Sequence, residues 1–164
     1  MTNENRYINC ISILMAVVIA IMLVYLAMRQ IDEYQLQDEP KLNVLREKFT
    51  AFFNQDKKWE GRLSMLNTRR PMKEINLYKG NKSYTINKEK VYMCLKDENG
   101  EYYTDNMLIY VLAHEFSHVL CDSVGHTDEF FKIFEEMLAE LTKDGIYDPH
   151  EEIIQNYCQF GDNS

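Results

Sequence analysis

The sequence predicts an α+β domain, a small and mostly antiparallel sheet with several helices, behind one N-terminal transmembrane helix. Three observations carry that expectation. A long uncharged apolar stretch opens the chain, short β-branched and aromatic runs fill its middle, and helix-period apolar patterns dominate its second half. Within the last of these lies His114-Glu115-Phe116-Ser117-His118, an HExxH signature, and His126 follows eight residues later.

The chain has 164 residues, room for one domain behind the apolar stretch. Its 46% hydrophobic and 12% aromatic content supports a packed core and excludes intrinsic disorder. The net charge of −8 argues against a phosphate backbone as main partner, so no nucleic acid is expected. The one basic run, Lys57 to Lys73, reads as a solvated face.

Residues 1–9 form a polar tip. Cys10 to Met28 then run 19 residues with Ser12 as the only clearly polar side chain. As a helix this stretch spans about 28 Å, close to the hydrocarbon thickness of a bilayer. It ends Tyr25-Leu26-Ala27-Met28-Arg29, without a small-x-small cleavage site. Residues 10–28 are therefore expected to anchor the chain in a membrane as a single pass. Residues 29–39, acidic and polar, read as a juxtamembrane linker, and 40–160 as the folded domain. Arg29, Lys41, Arg46 and Lys48 outnumber Arg6 across the membrane and favour a cytoplasmic domain. The cysteines lean the same way: outside the membrane, Cys94, Cys121 and Cys158 are odd in number and lack framework spacing. The Asn81-Lys82-Ser83 sequon points to the other side.

Pro40 opens an amphipathic helix over 40–53, with Leu42, Leu45, Phe49, Phe52 and Phe53 on one face. Between 72 and 104 the period shortens. Ile75–Tyr78, Tyr84–Ile86 and Val91–Leu95 read as strands, and Asp97-Glu98-Asn99-Gly100 as a turn into Glu101-Tyr102-Tyr103. Thr104-Asp105-Asn106 can cap the helix that carries the HExxH motif, which Gly125 is expected to stop. Thr127 caps a further helix with Phe130, Phe131, Phe134, Met137, Leu138 and Leu141, ended by Gly145. Asp148-Pro149 is read as starting a last helical segment through Ile153, Ile154 and Tyr157.

On a helix, side chains four apart share a face, so His114 and His118 can converge on one ion. Zinc suits two imidazoles from one turn, a third protein ligand and an open position. Glu115 is placed to act on water there rather than to ligate. The third ligand is His126 or a carboxylate of the next helix, Glu135, Glu136 or Glu140, with His126 the simpler choice. Cys121 reads as a buried thiol, His150 as a surface residue, and Tyr147 either as packing or as a donor to an oxyanion.

HEFSH-x7-His followed by Gly125-His126-Thr127-Asp128-Glu129-Phe130 resembles the zinc-peptidase superfamily that includes the WLM and SprT-like families. The resemblance covers roughly Tyr84 to Leu141 and implies a zincin-like fold. It also implies Zn2+ as cofactor, with His114, His118 and His126 as ligands. Glu115 would be the general base, then the proton shuttle to the leaving amine. An anchor joined to such a domain is also similar to peptidases predicted in large DNA viruses. Two features depart from the family. The gap before His126 is longer than is common in WLM members, and no DNA-binding segment accompanies this acidic chain. The expectation is therefore a membrane-anchored zinc endopeptidase acting on protein or peptide substrates. Two alternatives stand beside it: a non-catalytic zinc-containing, membrane-linked protein-binding module, and a single-pass protein in which the motif is coincidental.

Overall fold

The computed structural model describes residues 3–69 and 71–158; the start of the expected tip and residues 159–160 of the expected domain lie outside these. The chain divides into two compact units, Met1–Leu36 and the remainder from Gln37. In the first, a single helix α1 runs Asn3–Gln37. It continues through most of the stretch read as a linker, because neither Gly nor Pro occurs before Pro40. Its segment Ile11–Gln37 is long and apolar enough to cross a membrane, and none of its apolar window is buried by protein. Ile13, Val18, Met22 and Leu26 are all exposed, which a helix of a folded core would not tolerate.

The second unit begins with α2 (Pro40–Phe53), which buries Leu42, Leu45, Phe49, Phe52 and Phe53. Glu39 precedes it without capping it. Its carboxylate instead accepts from Tyr102 Oη at 2.6 Å and pairs with Lys79 at 3.6 Å. A 3-10 turn, Gly61–Asn67, buries Leu63 and Leu66. Gly61 has φ +56, and a Cβ there would stand 2.6 Å from Glu136 Oε2. A short α3 (Pro71–Glu74) leads into the sheet.

Strands β1 (Asn76–Lys79), β2 (Tyr84–Ile86) and β3 (Lys90–Met93) form one sheet in the order β1-β3-β2. The β2–β3 pair is antiparallel, but β1 runs parallel to β3. The expectation of a mostly antiparallel sheet is thus corrected: the sheet is evenly mixed. The 80–83 turn carries the chain past the end of β3 instead of folding it back beside β1. Gly80 N–H donates to Met93 O at 2.9 Å there, and a Cβ on Gly80 would meet Lys82 O at 2.9 Å. The hairpin after β2 then returns β3 into the gap. Beyond it, an isolated antiparallel bridge joins Lys96 to Tyr102.

Helix α4 (Asp105–Leu120) packs against both β2 and α5 (Asp128–Lys143). Thr104 caps α4 by accepting from Met107 N–H at 3.1 Å. Every residue of α4 is buried except Asp105, Tyr110, His114 and His118. The last three are four apart, so one open stripe remains on an otherwise enclosed helix. Phe49 stacks on Phe116 at 5.2 Å between ring centroids, tying α2 to the motif from behind. Past α5, Gly145 at φ +67 lets Ile146 N–H reach Leu141 O at 2.9 Å and closes the helix in a Schellman arrangement.

Two expectations fail in the C-terminal segment. No helix forms after Asp148-Pro149 among the described residues, because tertiary hydrogen bonds replace helical ones. Asn106 exchanges two bonds with the Asp148 backbone, at 2.9 and 2.7 Å, and Thr104 donates to Glu151 at 2.7 Å. The segment is an irregular strap. The cysteines are also not all free: Cys94 and Cys158 form a disulfide with Cα atoms 6.2 Å apart, leaving Cys121 as a buried free thiol. Pairing across 64 residues is invisible as sequence spacing.

Phe49→Ala removes the ring behind the motif helix. It is expected to destabilise the protein by about 3–5 kcal/mol, as large aromatic truncations in closed cores do. Urea unfolding in detergent micelles measures it, and a loss near zero would contradict this packing.

Candidate metal centre

The open stripe of α4 presents His114 and His118 one turn apart, and the loop that follows brings His126 to them. Ligand atoms of the three imidazoles all lie within 4.8 Å of one another. His114 Nε2 and His126 Nε2 are 3.0 Å apart. Metal–nitrogen bonds of about 2.0–2.1 Å in tetrahedral geometry separate neighbouring nitrogens by roughly 3.3–3.4 Å. The three histidines therefore fit a single small divalent ion. Phe130, fully buried, lies beneath them with its ring 4.8, 4.3 and 4.8 Å from those of His114, His118 and His126.

The loop is shaped by polar contacts more than by glycine. α4 ends at Leu120, five residues before the Gly125 expected to stop it, and Cys121 already has an extended ψ of 133. Lys88, from the turn between β2 and β3, donates to Cys121 O at 2.6 Å. Ser123 Oγ and Cys121 Sγ both donate to Glu129, at 2.8 and 3.4 Å. Thr127 caps α5 by accepting from Phe130 N–H at 3.3 Å. Gly125, at φ +87, supplies the left-handed turn just before His126.

Burial, with His118 and His126 alongside, holds the His114 imidazole down at about 4. His118 is lowered by burial and by His126. Both are thus neutral near pH 7, the form that binds metal. Glu115 is 5% exposed, and burial pushes its carboxyl up to about 6, against the opposing effect of the Thr85 hydrogen bond. Thr85 Oγ1 donates to Glu115 Oε2 at 2.7 Å, and β2 is one of the two edge strands of the sheet. The carboxyl is therefore oriented from a sheet edge, beside the histidine cluster but not within it.

The structure brings His114, His118 and His126 together, with Glu115 adjoining. The carboxylates weighed as rival ligands go elsewhere: Glu136 accepts from Arg62 N–H at 2.7 Å, Glu140 from Lys57 at 3.0 Å, and Glu135 is exposed. Tyr147 is buried with its ring 6.1 Å from Tyr110, and it lines a different hollow shared with His150. Sequence reasoning missed Thr85, Lys88 and Glu129. Nothing marks a threonine in a short strand, or a hairpin lysine, as partners of residues some thirty positions away.

No protein-family model matches the chain, and no solved structure gives a significant match. Similar proteins are the uncharacterised protein 136R of Invertebrate iridescent virus 6, 48% identical over 105 residues, and the uncharacterised protein 042R of Invertebrate iridescent virus 3, 36% identical over 99. These alignments cover 62% and 60% of this chain, and 59% and 62% of the relatives. The uncharacterised protein R325 of Acanthamoeba polyphaga mimivirus is 27% identical over 103 residues, 58% of this chain and 51% of that protein. The chain thus spans between about half and three-fifths of the length of these relatives.

Thr85→Val keeps the shape of the side chain and deletes the hydroxyl. In metal-free protein it is expected to move the Glu115 titration, followed by carboxyl 13C NMR, above about 6. An unchanged titration would mean that Thr85 does not hold Glu115.

Proposed function

We propose that this protein is a membrane-anchored zinc peptidase of the zincin type, similar to the WLM and SprT-like families. The observation that carries the proposal is the convergence of His114, His118 and His126 beside a buried glutamate tethered to an edge strand. The three histidines would hold Zn2+. When bound, the ion would polarise the scissile carbonyl and acidify water at the open position.

The chain's own groups supply the rest. Among the described residues no strand pairs with the outer edge of β2, and an extended peptide can add there as a further strand, placing its backbone across the histidine cluster. Glu115, oriented by Thr85, takes the proton lost by the attacking water and returns it to the leaving amine. A carboxyl held near 6 is ionised at neutral pH yet basic enough to accept that proton. Phe130 and Phe134 keep the imidazoles in place and exclude water from behind.

We assign the anchoring role to α1, whose apolar surface has no protein cover. The side of the membrane follows from two conflicting signals. The Lys/Arg distribution favours a cytoplasmic domain, whereas the Cys94–Cys158 bond favours an oxidising compartment. The disulfide removes the argument from unpaired thiols, and it weighs more because it is part of the folded domain.

Zinc-loaded full-length protein in detergent is expected to cleave a denatured-protein mixture. Glu115→Gln should lower the rate by about 10²–10⁴-fold, the usual worth of a general base, with one zinc still bound. Cleavage unchanged in Glu115→Gln would overturn the mechanism. Zinc bound by both without cleavage would favour the protein-binding module. His126→Ala should weaken zinc binding at least about tenfold, as measured by competition with a chromogenic chelator; undiminished affinity would remove His126 from the ligand set.

A further inference from the structure

Two hollows meet at the histidine cluster, sharing Ser83, His114 and Glu115. One lies at the far end of β2, over Asn87, Lys88 and the His126 loop. The other, about 910 Å³, lies at its near end and has a different character. Met107, Tyr110 and Val111 of α4 line it on one side, and Ile153, Ile154 and Tyr157 of the C-terminal strap on the other. A chain laid along β2 would pass from one hollow to the other with Glu115 at the crossing.

The strap is held to the sheet by covalent and hydrogen bonds. The Cys94–Cys158 disulfide fixes its end to the residue after β3. Tyr157 Oη donates to Cys94 O and lies 3.2 Å from Ser83 Oγ, and its ring packs on Tyr103 at 4.7 Å. Ser83 Oγ in turn accepts from Cys94 N–H at 3.0 Å. Ile154, which lines the hollow, remains 46% exposed. The strap lines the cleft without filling it.

We propose that this hollow is a subsite for a large apolar side chain, aliphatic or aromatic, of an extended peptide lying on β2, and that the disulfide-held strap is its specificity-determining wall. The walls offer aliphatic, thioether and aromatic surface. Among the described lining residues Glu115 is the only carboxylate, and Lys82, Ser83 and Gln155 are also present. Such a lining rewards burial of apolar side chains and penalises burial of a charged one. The inference deepens the peptidase reading, and measuring binding in a protein unable to cleave separates the two.

The test uses full-length Glu115→Gln protein, zinc-loaded, in lipid nanodiscs. Fluorescence anisotropy follows dye-labelled Gly/Ser dodecapeptides that differ only in a central Phe, Asp or Lys. The Phe peptide is expected to bind at least about tenfold more tightly than the Asp peptide, the scale of burying one large apolar side chain. Adding Ile154→Asp, at an exposed position that spares the fold, should abolish the Phe preference and favour the Lys peptide. Adding Cys94→Ala with Cys158→Ala should abolish the preference by freeing the wall. Equal or undetectable binding of the Phe and Asp peptides would overturn the proposal, as would an Ile154→Asp protein that still prefers Phe. Tighter binding without the disulfide would also overturn it, because the strap would then be a cover and not a wall. If the Phe peptide binds as expected but wild-type protein never cleaves it, the subsite stands and the peptidase reading falls.

Discussion

The enclosure of α4 is the constraint on which the rest of the structure depends. A helix buried on nearly all sides has almost no freedom to rotate, since any turn about its axis would move Phe116 or Leu112 out of a closed core. Its one open stripe is therefore fixed in direction, and His114 and His118 lie on that stripe. The aromatic cluster of α2 presses on Phe116 from one side, and Phe130 of α5 supports the imidazoles from another. The two candidate ligands are thus oriented by apolar packing alone.

The third histidine and the glutamate are held differently. His126 stands on a loop whose geometry depends on polar ties: Lys88 to the Cys121 carbonyl, and Ser123 and Cys121 to Glu129. Glu115 points inward from the enclosed part of α4, where burial would leave its carboxyl costly to ionise without a donor. Thr85 supplies that donor from the sheet edge. In the proposed peptidase the same edge would receive the extended chain, so the strand that orients Glu115 would also position the substrate. On the far side of Ser83, the Cys94–Cys158 bond draws the strap over the groove.

Much of this was legible because it is local. Pro40, the spacing of Leu42 to Phe53, Thr104 and Thr127 each mark a boundary through contacts within a few residues, and the structure has helices beginning at those places. The HExxH motif carries its own geometry, because four residues make one turn. What escaped is non-local. The parallel pairing of β1 with β3 depends on how the 80–83 turn spans the sheet. The end of α4 at Leu120 depends on Lys88, some thirty residues earlier, and not on Gly125. The residues after Pro149 have helix-compatible apolar spacing, yet Thr104 and Cys94, with Asn106 holding Asp148 just before them, draw them into an irregular strap. The disulfide likewise turns two of three apparently unpaired thiols into a clamp.

The claim that three imidazoles from one helix and one loop form an open divalent-metal site is tested most directly by X-ray absorption at the zinc edge. The measurement would use full-length protein loaded with one equivalent of zinc. The account predicts a four-coordinate shell of three imidazole nitrogens and one light-atom ligand, with the imidazole signal reduced by one in His126→Ala. A shell containing sulfur, or the failure of the protein to retain one zinc, would contradict it.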